Sequence, residues 1–139
     1  DGVKYGFRSE ENNSLDEMNA PRYLNLLKIT LPLAGISSIL HRISAVGIFV
    51  LSLPMTILLV FSLGSSDNFE QAVLFFENII FKTLFFLFIL GIFYHFVSGI
   101  RHLVMDFGYW ETLSAGRASA MATFVLTGLF SFYLLYLLW

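Results

Sequence analysis

Cysteine is absent from the 139-residue sequence. The chain alone therefore cannot build disulfides, thiolate zinc sites or iron–sulfur clusters held by cysteine. Any redox chemistry in which it takes part must use another type of ligand.

Charged residues are also few. They make up 13% of the chain, and hydrophobic residues make up 57%, whereas an ordinary soluble domain has roughly 25% charged and 45–50% apolar residues. This imbalance excludes an ordinary soluble domain and indicates that the outer surface is apolar as well, as lipid requires. The net charge is −2 and no long basic block occurs, which excludes nucleic acid as a partner.

Three long intervals contain no Lys, Arg, Asp or Glu, and they are 24, 18 and 22 residues long. A helix needs about 20 apolar residues to cross the hydrocarbon of a bilayer. Lipid requires every backbone polar group to be paired internally, and the intervals lack the strict alternation of barrel strands, so helices are expected. The sequence predicts an all-α integral membrane protein with three transmembrane helices, at about residues 33–62, 82–104 and 117–138.

Two regions differ in composition. Residues 1–19 contain five acidic and two basic side chains and are predicted to be a polar, acidic tail on the inner side of the membrane. Residues 20–139 are predicted to form the three-span anchor domain. Pro54 lies inside the first span and predicts a bend there, because proline removes a backbone donor and crowds the preceding turn.

Basic residues predict the orientation of the spans. Seven of the eight Lys and Arg residues lie before the first span or flank the second connection, and only Lys82 lies in the first connection. By the positive-inside rule, the N-terminus and the 101–117 connection face the cytoplasm or the mitochondrial matrix. Trp139 and the first connection are then on the opposite side.

His95 is the ionisable residue that cannot reach the membrane surface. It lies six residues before Arg101, which is about 9 Å of helix rise inside the inner boundary. Two interpretations remain open: a packed histidine bonded to a carbonyl of a neighbouring helix, or an axial ligand to haem. Gly91 and Gly99 lie one turn to either side, where they would let a flat macrocycle or another helix approach closely.

A second ligand for such an iron is not expected from this chain. His102 lies seven residues beyond His95, about 10 Å nearer to the inner surface, and His41 beside Arg42 is expected at a similarly shallow level. Neither should therefore face His95 across one haem. The opposite ligand of a six-coordinate iron would come from another polypeptide.

A polar segment, Ser38–Ser44, lies at the inner end of the first span. Helical spacing predicts that Ser38, His41 and Arg42 share a face. One interpretation is an interfacial cluster whose arginine extends to water. The other is a site for an anion or a carbonyl oxygen, in which arginine binds a haem propionate or a reduced quinone oxygen and serine donates to a quinone carbonyl.

Two carboxylates, Asp106 and Glu111, follow the second span on the inner side. They are either solvated or part of a relay that delivers protons to a buried redox site. Asp106 lies four residues beyond His102 on the same helical face, so these two are the candidate relay residues.

The segment Ser38-Ile39-Leu40-His41-Arg42-Ile43-Ser44 is followed some fifty residues later by a second motif. That motif is Tyr94-His95-x-x-x-Gly99-Ile100-Arg101-His102-x-x-x-Asp106-Phe107-Gly108. Together, and in this order, they closely resemble the cytochrome b membrane anchors of succinate dehydrogenase, which is respiratory complex II. The resemblance covers about residues 20–139 and all three spans.

The resemblance implies roles for individual residues. His95 matches the axial ligand of haem b, and the other axial histidine is donated by a second small anchor subunit. His41 and Arg42 match residues near the haem propionates. Ser38 and Arg42 match the ubiquinone pocket, and Asp106 matches an acidic position near it.

The resemblance also implies an assembly. The chain would be half of a haem-binding helical bundle in a succinate:ubiquinone oxidoreductase, with a flavoprotein subunit, an iron–sulfur subunit and a second anchor as partners. It would have no dehydrogenase activity alone, and it would lie in the bacterial cytoplasmic membrane or the mitochondrial inner membrane. The alternatives are the anchor of a quinol:fumarate reductase and a haem-free structural three-helix subunit.

Overall fold

The structure is a computed structural model, and it describes residues 32–139. The predicted acidic tail of residues 1–19 and the first residues of the predicted anchor domain lie outside the described residues. Four α-helices follow one another in this part of the chain: α1 (Leu33–Ser62), α2 (Ser66–Leu74), α3 (Ile79–Asp106) and α4 (Leu113–Leu138).

Helices α1, α3 and α4 are each long and apolar enough to cross a membrane, and residues 32–139 contain no strand. The predicted fold class, an all-α membrane protein with three spans, is confirmed. The short helix α2 and the 3₁₀ turn that follows it, Phe75–Glu77, were not predicted. They fill the first connection, where the sequence is too polar and too short for a span.

Polar side chains cap the starts of α3 and α4. The Asn78 side chain accepts hydrogen bonds from two backbone N–H groups at the start of α3, and Thr112 accepts one at the start of α4. Such caps satisfy N–H groups that have no partner within the helix. As a result, α3 and α4 begin a few residues before the charge-free intervals, and Lys82 belongs to the first turn of α3.

Helix α1 begins directly after Pro32 and continues without interruption past Pro54. Helix α1 therefore begins before Arg42, the last charged residue ahead of the first apolar interval. It extends further toward the inner side of the membrane than that interval does. His41 lies eight residues into α1, about 12 Å of helix rise from its start.

Helix α3 packs against both α1 and α4. The most buried positions are small or polar, among them Ser37, Ser98, Ala120 and Thr123, whereas large apolar side chains such as Phe49 point outward. Lipid is as apolar as these side chains, so close backbone approach rather than hydrophobic burial holds helices together in a membrane. The small residues make that approach feasible.

Candidate functional site

Three imidazole rings meet between α1 and α3, and we call His41, His95 and His102 the histidine cluster. The rings of His41 and His95 stack with their centroids 4.1 Å apart and their planes 11° apart. The His102 ring lies 5.1 Å from that of His41, at 50°. The predicted depth difference of about 10 Å between His41 and His95 is therefore wrong.

The reason lies in the side chain of Arg42. The charge of Arg42 predicts that this residue marks the membrane surface, but a long arginine side chain can reach water from below the surface, and Arg42 is exposed. The stacked rings turn their faces, not their nitrogen atoms, toward each other. The expectation that His41 is not the opposite axial ligand now rests on ring orientation instead of depth.

The Nδ1 atom of His95 has two hydrogen-bond partners on α1. It lies 3.2 Å from the backbone carbonyl oxygen of His41 and 3.1 Å from the Oγ of Ser44. A carbonyl oxygen can only accept, so Nδ1 carries the proton and donates. The neutral ring then has its lone pair on Nε2, which forms no hydrogen bond within residues 32–139.

These contacts are compatible with both interpretations of His95, a packed histidine bonded to a helix carbonyl and a haem ligand. The hydrogen bond to a neighbouring helix carbonyl is present, and it is also the bond that typically orients a metal-ligating histidine and leaves Nε2 free. Within residues 32–139 no three His, Asp or Glu side chains are grouped to hold a bare metal ion. A haem iron requires only one or two axial ligands from protein, so a single free Nε2 fits haem.

The two glycines beside His95 face α1. A Cβ atom at Gly91 would lie 3.5 Å from Ile48, and one at Gly99 would lie 3.5 Å from the Nε2 of His41. Close approach of another helix, one of the two predicted uses, is observed at both glycines. The Nε2 of His41 is buried and has no hydrogen-bond partner in the described part of the chain, which is uncommon for a buried polar atom.

Ser38, His41 and Arg42, which are predicted to share a face, lie three and four residues apart on the continuous helix α1 but differ in exposure. His41 turns into the contact between α1 and α3, Ser38 is half-buried, and Arg42 is exposed. Asp106 is the exposed last residue of α3. A cavity of about 1030 Å³ lies between the first turn of α1 and the start of α4, and neither Ser38 nor Arg42 lines it.

Arg101 is buried, although its charge and its position at the end of the second apolar interval predict a place at the membrane surface. Only 3% of it is exposed. Its Nε donates to the Oγ of Ser119 at 3.0 Å, and its Nη2 donates to the carbonyl of Gly116 at 3.3 Å. The four-residue spacing of Gly116 and Ala120, both buried, is the sequence signal that α4 meets another helix here.

Tyr94 and Ser44 also make contacts that the sequence does not reveal. The hydroxyl of Tyr94 donates to the backbone carbonyl of Ser37 at 2.9 Å, inside the contact between α3 and α1. Ser44, the last residue of the first motif, contacts the imidazole of His95. Each contact joins residues more than 50 positions apart, so no local pattern reveals it.

Residues 16–134 match the family described as "succinate dehydrogenase/fumarate reductase transmembrane subunit". The chain is also similar to the succinate dehydrogenase cytochrome b556 subunit of Coxiella burnetii (strain RSA 493 / Nine Mile phase I). The two are 36% identical over 113 residues, which cover 79% of this chain and 90% of the relative.

Proposed function

The chain belongs to the family of succinate dehydrogenase/fumarate reductase transmembrane subunits, and from this premise we propose that it binds haem b in a succinate:ubiquinone oxidoreductase. The observation that carries the proposal is the pair of contacts made by the Nδ1 of His95. Its Nδ1 proton is held by acceptors on α1, so Nε2 presents a lone pair as an axial ligand must.

The proposal assigns one axial position to this chain. His95 Nε2 would hold the iron, and the opposite histidine would come from a second small anchor subunit. Haem, when bound, supplies a one-electron carrier. The exposed guanidinium of Arg42 is suited to bind a haem propionate, because charge-assisted bonds to carboxylates are strong. His41 is proposed to lie near the propionates without a direct bond from its Nε2, which is buried between α1 and α3.

Ser38 and Arg42 are proposed to contribute to a ubiquinone site at the inner end of α1. A hydroxyl can donate to a quinone carbonyl, and a guanidinium can stabilise the negative charge that develops as the quinone is reduced. Neither side chain lines the cavity between the first turn of α1 and the start of α4, so the proposed pocket would need partner subunits to complete it. Asp106 and His102, one turn apart on α3, are the proposed proton path to that site.

The remaining subunits follow from the same proposal. A flavoprotein subunit would oxidise succinate, and an iron–sulfur subunit would pass the electrons to the anchor, because this chain has no cysteine to hold clusters. These subunits would dock on the inner side, where seven of the eight basic residues are expected. The membrane would be the bacterial cytoplasmic or mitochondrial inner membrane, with the N-terminus inside.

A quinol:fumarate reductase is the second candidate, since the family description names both enzymes. The two differ in the direction of electron flow. The purified assembly should oxidise succinate with ubiquinone faster than it reduces fumarate with a quinol; the opposite ratio would favour the second candidate.

Absorbance of the purified assembly tests the haem proposal. The reduced wild-type assembly should show a haem α band, and the substitution His95→Ala should abolish or strongly weaken it. Added imidazole should restore part of the band, because it can occupy the space left by the side chain, and this rescue separates loss of a ligand from misfolding. An unchanged band in His95→Ala would overturn the assignment, and a wild-type assembly without any haem band would favour the structural alternative.

A further inference from the structure

We propose that Ser44 is a positioning residue for the haem ligand. Its Oγ accepts a hydrogen bond from the Nδ1–H of His95, and together with the His41 carbonyl it sets the tautomer and orientation of the imidazole. This inference rests on the proposed haem function and adds to it a residue of α1 that acts through His95.

The three atoms form a compact triangle. Ser44 Oγ lies 2.7 Å from the carbonyl oxygen of His41. His95 Nδ1 lies 3.1 Å from Ser44 Oγ and 3.2 Å from the His41 carbonyl oxygen. The serine hydrogen points to the carbonyl, so the lone pairs of Oγ remain for the Nδ1–H. One imidazole proton is thus shared between two acceptors that lie on the same turn of α1.

The bond from the Ser44 hydroxyl to a backbone carbonyl does not by itself distinguish Ser44 from other serines of α1. Ser52 and Ser62 on the same helix make the same bond to the carbonyl three residues earlier, each at 2.7 Å. Neither of them contacts an imidazole within the described residues. Ser44 differs because its Oγ also contacts the Nδ1 of His95, 51 positions away in the sequence.

Two consequences follow for a bound iron. Acceptors on Nδ1–H hold the ring at a set angle and increase the electron density that Nε2 can donate. A more basic axial imidazole favours ferric over ferrous iron, so removal of one acceptor should raise the reduction potential. The effect should be partial, because the His41 carbonyl still accepts from Nδ1 when the hydroxyl is removed.

The test compares four variants of the complete, purified complex. Ser44→Ala removes the hydroxyl, and Ser52→Ala removes an equivalent hydroxyl–carbonyl bond from the same helix without touching His95. Ser44→Thr and Ser44→Val have nearly the same shape and differ in the hydroxyl. The readouts are the rate of haem loss in detergent, the midpoint potential of the haem, and the position of the reduced α band.

For Ser44→Ala and Ser44→Val we expect haem to be lost about tenfold faster, at the low end of the range for lost outer partners of metal ligands. A tenfold change in the ratio of ferric to ferrous affinity corresponds to about 59 mV for one electron, and the potential should move upward. Ser44→Thr and Ser52→Ala should match the wild type in all three readouts.

Several results would overturn the inference. Wild-type potential and haem retention in Ser44→Val would do so, as would equal changes in the Thr and Val variants or in Ser52→Ala. If Ser44→Ala does not assemble, the Thr and Val pair still decides. Loss of the haem band in His95→Ala with no effect in the Ser44 series would remove only the role of Ser44, whereas a retained band in His95→Ala would remove the haem assignment itself.

Discussion

The backbone of Gly99 on α3 lies against the imidazole of His41 on α1. A Cβ atom at Gly99 would be 3.5 Å from the Nε2 of His41, an ordinary van der Waals distance. A methyl group would therefore fit at this position, and the small size of residue 99 allows the two helices to pack closely beside the histidine cluster.

The effect of a substitution at Gly99 should therefore depend on the size of the new side chain. Gly99→Ala should be tolerated, because one methyl group fits the available distance. Gly99→Leu should push His41 away and cost about 1–3 kcal/mol through overpacking. The measurement is the thermal unfolding midpoint and haem content of the purified complex; equal behaviour of the two variants would contradict the packing described here.

Removal of the Tyr94 hydroxyl should destabilise the contact between α3 and α1. Tyr94→Phe loses the 2.9 Å bond to the Ser37 carbonyl, and a buried hydrogen bond contributes about 1 kcal/mol. We expect a lower thermal midpoint with an unchanged haem spectrum. Tyr136→Phe is the matched control, because Tyr136 is 83% exposed and its loss of a hydroxyl should leave the midpoint unchanged.

Ser38→Ala and Arg42→Leu should slow quinone reduction. Both remove a polar group proposed to bind the quinone, so succinate oxidation coupled to ubiquinone should fall, by about 10- to 150-fold for Arg42→Leu if one charge-assisted bond of about 1.5–3 kcal/mol is lost. Succinate oxidation coupled to a soluble dye should be preserved, since it does not require the anchor's quinone site. Parallel loss of both activities would instead indicate a role in assembly.

The absence of cysteine makes the orientation directly measurable. Glu77→Cys places a thiol in the exposed first connection, and Glu111→Cys places one in the exposed second connection. A membrane-impermeant maleimide should label Glu77→Cys in intact cells or spheroplasts and Glu111→Cys only after permeabilisation. The reverse pattern would contradict the orientation expected from the basic residues.

The number and approximate extent of the spans follow from the sequence because lipid excludes unpaired charge. Three charge-free intervals leave few alternatives to three helices, and the same rule singles out His95. The first residues of α3 and α4 were less predictable, because Asn78 and Thr112 cap these helices before the apolar intervals begin.

The sequence alone determined the fold class, the family motifs and the candidate haem ligand, all of which depend on residue type and spacing along one chain. Only the tertiary structure placed His41 level with His95, buried Arg101 against α4 and brought Ser44 to the imidazole of His95. These features depend on the relative depth and rotation of packed helices. Small residues at the contacts set that geometry, and charge spacing along a single helix carries no information about it.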